Sequence, residues 1–89
     1  MKDKATTVAV RVVLVEDKPG VRASWVKLIN TLPGFSCVQT CVSGEEALRM
    51  IPEVNPDLVL MDIYLTRMSG IECTARLKVR LPKQQILML

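Results

Sequence analysis

Four short runs of apolar and β-branched residues alternate along the chain with three longer amphipathic segments. The runs cover residues 8–15, 37–42, 58–61 and 85–89. Apolar runs of this length, bounded by turn residues, are typical of strands buried on both faces of a parallel sheet. Parallel strands that alternate with helices are joined by right-handed crossovers. The pattern therefore predicts an α/β fold, a doubly wound parallel sheet in the order β-α-β-α-β-α-β with helices on both faces.

The first amphipathic segment follows the first strand directly. Its apolar residues recur at helical spacing and predict an inward face made of Val21, Trp25, Leu28 and Leu32. Asp17 can cap this helix, and Pro19 is tolerated in its first turn. Pro33 and Gly34 are expected to end it. We expect Trp25 to belong to the core rather than to a binding surface.

The other two helices begin at the same kind of signal. Ser43 and Ser69 are each followed three residues later by a glutamate, the spacing of a capping box. Pro52 is expected to end the second helix, and Pro82 the third. The third helix is predicted to have an apolar face at Ile71, Ala75 and Leu81 and a polar face at Arg76, Lys78 and Arg80.

Length, composition and charge limit the possible functions. Eighty-nine residues, 49% of them hydrophobic, suffice for one domain with an apolar core. The net charge of +3 is scattered, without a basic stripe that carries aromatic residues, which argues against nucleic-acid binding. The first apolar run contains Arg11 and ends in acidic residues, unlike a signal peptide. No stretch approaches the roughly 20 apolar residues of a membrane span, so we expect a cytoplasmic protein.

The cysteines and the absence of histidine exclude other chemistry. Cys37 and Cys41 lie on one predicted strand, about 13 Å apart at the usual rise per residue, which is too far for a disulfide. Together with Cys73 they are expected to be small, buried apolar groups in a reducing cytosol. The chain has no histidine, so histidine-based catalysis and histidine-containing metal sites are excluded.

Three carboxylates follow two of the predicted strands. Glu16 and Asp17 come directly after the first strand, and Asp62 after the third. In open α/β sheets ligands bind at this edge, and the acids converge there if the two strands are neighbours. Like charges in a small cleft raise one another's pKa unless a cation neutralises them. Mg²⁺ suits such oxygen ligands, and a carboxylate beside it can accept a phosphoryl group.

The same residues have a second interpretation that spacing alone leaves open. Asp62 is also consistent with a cap on the turn that follows it. Glu16 and Asp17 are also consistent with a simple cap on the first helix. Neither a cation site nor capping is favoured by the positions of the acids alone.

Several blocks of the sequence resemble the receiver domain of bacterial two-component response regulators. They are residues 12–17 with Pro19, then 43–48, 56–63 and 68–72, in the family's order and spacing. The resemblance implies a flavodoxin-like fold with strand order 2-1-3-4-5. It also implies that the protein acts in signal transduction rather than as an enzyme. It further implies that Asp62 is phosphorylated by a sensor histidine kinase. Mg²⁺ would then be held by Glu16, Asp17, Asp62 and the backbone carbonyl of Tyr64.

The sequence departs from that family in two respects. The loop after the aspartate reads Leu65-Thr66-Arg67-Met68, where the family usually has Leu-Pro-Gly-Met, so we expect an altered loop. The 89 residues also stop in the predicted fourth strand of a five-stranded fold. Residues 1–89 are therefore expected to be a receiver domain that is incomplete at its C-terminus. The family's switch Thr or Ser and its phosphate-pairing Lys have no counterpart, because Lys83 precedes the fourth strand.

A four-stranded sheet of this kind leads us to expect self-association. Residues 85–89 would form an edge strand, and they include neither a charged residue nor proline. Natural edge strands are normally protected by charges, proline or bulges. The apolar faces of neighbouring strands would also be exposed, which is unusual for a soluble monomer.

Two alternative functions follow from the same residues. One is a receiver-like interaction module that is never phosphorylated. The other is a phosphohydrolase similar to the haloacid dehalogenases, whose nucleophilic aspartate also ends a strand. The stretch Asp62-Ile63-Tyr64-Leu65-Thr66 lacks the second aspartate that serves those enzymes as general acid. By analogy alone, receivers of this kind often precede a helix-turn-helix domain, so a transcriptional output is expected.

Overall fold

The computed structural model describes residues 9–89, which form one parallel sheet and three helices. The elements are β1 (Val10–Val15), α1 (Pro19–Thr31), β2 (Phe35–Cys41), α2 (Gly44–Val54), β3 (Leu58–Met61), α3 (Gly70–Arg80) and β4 (Gln85–Met88). The predicted alternation of strands and helices is confirmed. β2 begins two residues earlier than predicted, and the predicted start of the first strand at Val8 lies outside the described residues. Within residues 9–89, no helix combines the length and apolar character needed to cross a bilayer.

The sheet has the order β2-β1-β3-β4, and every pairing is parallel. This order agrees with the flavodoxin-like arrangement that the sequence predicts. β1 and β3 are central neighbours, with Val12 opposite Leu58 and Val15 opposite Met61. Both strands therefore end at the same level of the sheet. In the described part of the chain β4 pairs with β3 alone, so β4 forms an edge.

Alternate strand residues point to opposite faces of the sheet and build two apolar layers. The larger layer lies on the side of α2 and α3, and its buried members are Val13, Val15, Cys41, Ala47, Ile51, Val59, Met61, Leu65, Cys73 and Leu77. The smaller layer lies on the side of α1, and its buried members are Val12, Leu14, Ile29 and Leu60. Helices on both faces are thus confirmed, with one helix on one side and two on the other.

The predicted inward face of α1 is wrong in most of its members. Val21, Leu28 and Leu32 are exposed, and Leu28 keeps 50% of its surface in contact with solvent. The buried stripe instead runs through Ile29, with Trp25 partly buried beside it. Only a narrow group of strand residues lies beneath this helix, so a narrow stripe is enough to cover it. Trp25 packs against the core, as predicted.

The predicted inward face of α3 is wrong in two of its three members, whereas Leu81 is partly buried against the larger layer as predicted. Ile71 is 63% exposed and Ala75 is exposed, whereas Cys73 and Leu77 are completely buried. Gly70, at the start of the helix, is buried against the backbone of Asp62. This contact fixes the rotation of the helix, so positions three and seven residues after Gly70 point inward. The exposed positions of the basic residues in α3 agree with the prediction.

α2 does not end at Pro52 as predicted. The helix continues to Val54 and closes at Asn55, which adopts the left-handed conformation with φ of 52° and donates its N–H to the carbonyl of Ile51 at 2.9 Å. Proline lacks the N–H that would have bonded to the carbonyl four residues earlier, and its ring crowds that carbonyl. Only two helical residues follow Pro52, so little of the helix is disturbed.

The three cysteines are free, and two of them are buried as predicted. Burial raises the pKa of Cys41 to about 12 and that of Cys73 to about 11. Both thiols therefore remain protonated at neutral pH and pack as small apolar groups in the larger layer. Cys37 is only partly buried, because β2 is the other edge of the sheet.

Candidate metal and phosphoryl site

The carboxylates of Glu16, Asp17 and Asp62 meet at the carboxyl ends of β1 and β3. One oxygen from each lies within 4.8 Å of an oxygen of the other two. The sheet register causes this meeting, because the N–H of Asp62 donates to the carbonyl of Val15 at 3.0 Å. The prediction that the acids converge if β1 and β3 are neighbours is confirmed.

Neither Glu16 nor Asp17 caps α1 in the way the capping interpretation requires. The N-cap residue is Lys18, and no side chain caps this helix. Asp17 Oδ2 instead accepts from the N–H of Thr66 in the β3–α3 loop, at 3.3 Å. Glu16 Oε2 accepts from the N–H of Lys18 at 3.1 Å. Lys18 precedes the first helical turn. The expectation that Asp17 caps α1 is therefore wrong, and its carboxylate faces the other acids.

Asp62 is oriented by its own loop. Its Oδ1 accepts from the N–H of Tyr64 at 3.0 Å, the local pattern of an Asx turn. The side chain of Tyr64 is exposed. The role of the Tyr64 backbone carbonyl as a metal ligand stays a prediction.

The electrostatics of the three acids differ because their surroundings differ. Glu16 keeps only 3% of its surface exposed, and burial raises its pKa, helped by the nearby Asp62 carboxylate. Burial acts on Asp17 in the same direction, but the Thr66 N–H, the Lys18 ammonium and Glu16 outweigh it and lower the pKa of Asp17. The fold thus brings together carboxylates whose mutual repulsion a cation would relieve.

The donor set fits a hard divalent cation. Asp17 Oδ1 is buried and has no hydrogen-bond partner, while Lys18 Nζ lies 3.6 Å away at the exposed rim. A buried carboxylate oxygen without a hydrogen bond is costly, and an ion pair with an exposed lysine offsets little of that cost. Three carboxylate oxygens within one small space are ligands that Mg²⁺ accepts, with water and phosphate oxygens completing its octahedron.

The loop beside the site retains a glycine-like backbone despite lacking glycine. Arg67 has φ of 62°, in the left-handed region that favours glycine. Arg67 occupies the position of the family's glycine in the Leu-Pro-Gly-Met pattern. The side chain has therefore changed while the backbone conformation that suits glycine is present. Leu65, in the same loop, is buried in the larger apolar layer.

Replacing Arg67 by glycine should stabilise the fold by about 1 kcal/mol, because a side chain in the left-handed region costs about that much. Thr66→Gly is the matched control in the same loop, since Thr66 has no positive φ. Thr66→Gly should lower the free energy of unfolding by roughly 0.5 kcal/mol, because glycine increases the conformational entropy of the unfolded chain. Urea unfolding monitored by Trp25 fluorescence measures both. Equal effects of the two substitutions would contradict the conformational explanation.

Two residues near the acids were missed by the sequence analysis. A Cβ on Gly70 would overlap the carbonyl oxygen of Asp62 and would lie 2.8 Å from its carbonyl carbon. Arg22 bonds to the backbone of the acidic pair. A glycine in the first turn of a predicted helix was the available signal for Gly70. No sequence signal pointed to Arg22.

A family model described as the response regulator receiver domain matches residues 12–89. The chain is 38% identical over 73 residues to a protein-glutamate methylesterase/protein-glutamine glutaminase of Syntrophus aciditrophicus, covering 82% of this chain and 21% of that protein. Over the curated relatives first matched, the chain spans between 20% and 38% of their length.

Solved structures show the same fold. A LuxR-family two-component response regulator from Aurantimonas sp. SI85-9A1 superposes with a TM-score of 0.87 at 35% identity, covering 90% of this chain and 57% of that one. The Borrelia burgdorferi CheX–CheY complex with BeF₃ and Mg²⁺ gives a TM-score of 0.81 at 26% identity, covering 97% of this chain and 65% of the matched chain. The four-stranded parallel sheet and its three helices therefore have close counterparts among these proteins.

Proposed function

The chain belongs to the response regulator receiver domain family, and from this premise we propose that it accepts a phosphoryl group on Asp62 from a sensor histidine kinase. The observation that carries the proposal is the meeting of three carboxylate oxygens within 4.8 Å at the ends of β1 and β3. Asp17 Oδ1, which is buried without a hydrogen bond and has the exposed Lys18 Nζ 3.6 Å away, supports a cation there. The residues that would hold Mg²⁺ are Glu16, Asp17, Asp62 and, through its backbone carbonyl, Tyr64.

The residues of the chain have separate tasks in this transfer. A carboxylate oxygen of Asp62 attacks phosphorus, the bond from phosphorus to the donor nitrogen breaks, and an acyl phosphate results. The N–H of Tyr64, 3.0 Å from Asp62 Oδ1, holds the carboxylate in place for that attack. Glu16 and Asp17 keep two further negative charges beside it. Mg²⁺ bound among them would supply the positive charge that stabilises the transferring phosphoryl oxygens.

The partners follow from the same proposal. The sensor kinase supplies the phosphoryl group in the cytoplasm from a histidine of its own. This chain has no histidine. We propose a transcriptional output for the phosphorylated domain, supported by the 35% identity to the LuxR-family response regulator. The 38% identity to the methylesterase of Syntrophus aciditrophicus favours a second candidate, control of an attached enzyme. In both cases the receiver itself is a switch and not the enzyme.

The direct test is phosphorylation of the chain by a small phosphodonor such as acetyl phosphate, with and without Mg²⁺. Intact-mass measurement should show one phosphoryl group, added only when Mg²⁺ is present and removed by hydroxylamine. Absence of label after prolonged incubation, or label without Mg²⁺, would overturn the proposal.

We also propose that the chain associates with a second copy through β4. In the described residues β4 pairs only with β3, and Leu87 on this strand is 54% exposed. The strand carries no charged residue. Its free backbone N–H and C=O groups can therefore pair with the β4 of another copy.

Leu87→Lys should convert the chain from a dimer or larger species to a monomer at micromolar concentration, because a lysine on an edge strand opposes strand pairing. Val79→Lys is the matched control, since Val79 is also exposed but lies on α3. Light scattering behind size-exclusion chromatography gives both masses. A monomeric wild type, or equal masses for the two variants, would contradict pairing through β4.

A further inference from the structure

Arg22, in the first turns of α1, holds the backbone of three successive residues. Its Nη1 donates to the carbonyl of Glu16 at 3.0 Å and lies 3.4 Å from the carbonyl of Asp17. Its own N–H donates to the carbonyl of Lys18 at 2.8 Å. The guanidinium thus bonds the carbonyls of the acidic pair, whereas the bond to Lys18 is the ordinary first-turn bond of the helix, which any residue except proline would make.

These bonds constrain the backbone of the acidic pair. The carbonyls of Glu16 and Asp17 are fixed by Arg22, while their carboxylates lie beside that of Asp62. With both carbonyls held, the backbone of the pair cannot change freely, and this fixes the points from which the two side chains extend. The N–H groups of Lys18 and Thr66 then hold the carboxylates themselves. No side chain caps α1. Arg22 joins this turn to the helix through its guanidinium, alongside the Glu16 carboxylate that accepts from the N–H of Lys18.

We propose that Arg22 is a positioning residue for the metal site: it sets the direction of the Glu16 and Asp17 carboxylates by holding their carbonyls. This role rests on the proposed function. Groups that orient metal ligands from behind typically change metal affinity by 10–100-fold when removed. A guanidinium suits the task because its planar donors stay charged and can bond more than one oxygen at once.

A purely electrostatic role for Arg22 predicts the opposite sign. A positive charge near a divalent cation opposes its binding, so removing that charge should tighten binding. Positioning predicts weaker binding when the guanidinium is lost. A role limited to anchoring α1 predicts lower stability with unchanged metal affinity. The direction of the affinity change therefore separates these roles.

The experiment measures the Mg²⁺ dissociation constant by calorimetry, at constant ionic strength, for the wild type, Arg22→Met, Arg22→Lys and Lys27→Met. Lys27 is exposed on the same helix and controls for loss of charge. We expect Arg22→Met to bind Mg²⁺ about tenfold more weakly than the wild type. Arg22→Lys should lose less affinity, because its ammonium group is still a charged donor. Lys27→Met should lose none. Thermal unfolding in EDTA, followed by circular dichroism, reports the stability of each variant without metal.

Unchanged or tighter binding in Arg22→Met, with the wild type binding normally, would overturn the positioning role and leave the proposed function intact. Weaker binding in Lys27→Met equal to that in Arg22→Met would overturn it as well. A wild type that binds no Mg²⁺ would overturn the metal site and this role together. If Arg22→Met fails to fold, Arg22→Lys decides: wild-type affinity in that variant rejects the role, and weakened affinity supports it.

Discussion

Asp62→Asn should abolish phosphorylation of the chain while leaving the fold unchanged. An amide oxygen is not a nucleophile toward phosphorus, so no acyl phosphate can form at this position. The asparagine Oδ1 can still accept from the N–H of Tyr64, which holds the aspartate at 3.0 Å in the wild type. The loop geometry is therefore retained, and loss of label reports loss of the nucleophile.

Asp57→Asn is the matched control, with the same change at the opposite end of β3. Asp57 Oδ2 accepts from the N–H of Arg11 at 2.8 Å, and asparagine keeps an acceptor oxygen there. This variant should take up one phosphoryl group at the wild-type rate. Intact-mass measurement with acetyl phosphate and Mg²⁺ compares the three proteins. Label that persists in Asp62→Asn, or that disappears in Asp57→Asn, would show that another residue is the acceptor.

Gly70→Ala should destabilise the fold by about 3 kcal/mol, the upper end of the usual cost of overpacking. The added Cβ would overlap the carbonyl oxygen of Asp62 and approach the Ile63 Cα to 3.0 Å. These are backbone atoms, so no side-chain rotation relieves the contact. Either α3 moves away from the sheet or Asp62 moves, and in both cases Mg²⁺ affinity should fall as well.

Gly20→Ala tests the same substitution where space is open. A Cβ on Gly20 meets no atom within 4 Å, and Gly20 lies in the first turn of α1. Alanine should therefore stabilise the chain by roughly 0.5 kcal/mol. Urea unfolding monitored by Trp25 fluorescence gives both free energies. Similar stability for Gly70→Ala and wild type would show that α3 packs differently against the strand end.

The strands and the acidic site could be predicted because each depends on a local signal. A run such as Leu58–Met61 is typical of an interior strand of a parallel sheet, buried on both faces, and a carboxylate after it must lie at the carboxyl edge. The rotation of α1 could not be predicted in the same way. Leu28 and Ile29 are both apolar and both belong to a helical pattern. Only the surface beneath the helix decides that Ile29 is buried.

Gly70 and Arg22 were missed for a related reason. Gly70 matters for the space that it leaves beside the backbone of Asp62, and Arg22 for bonds to backbone carbonyls. Neither backbone carbonyls nor free space can be recognised from the residue types in a sequence. Acids at strand ends can be recognised in a sequence by their residue type, whereas the groups that hold them in place become visible only in three dimensions.

The ligands of the proposed metal site come from both strands of the β1–β3 pair. Metal binding is therefore linked to local opening of the sheet between these strands. Glu16 and Asp17 belong to one strand end and Asp62 to the other. Opening of this central pair separates the ligands, so a bound cation must dissociate before the strands part. By mass action the cation lowers the population of the opened form. Hydrogen exchange of the Asp62 amide, which donates to Val15 across that boundary, should therefore slow as Mg²⁺ is added.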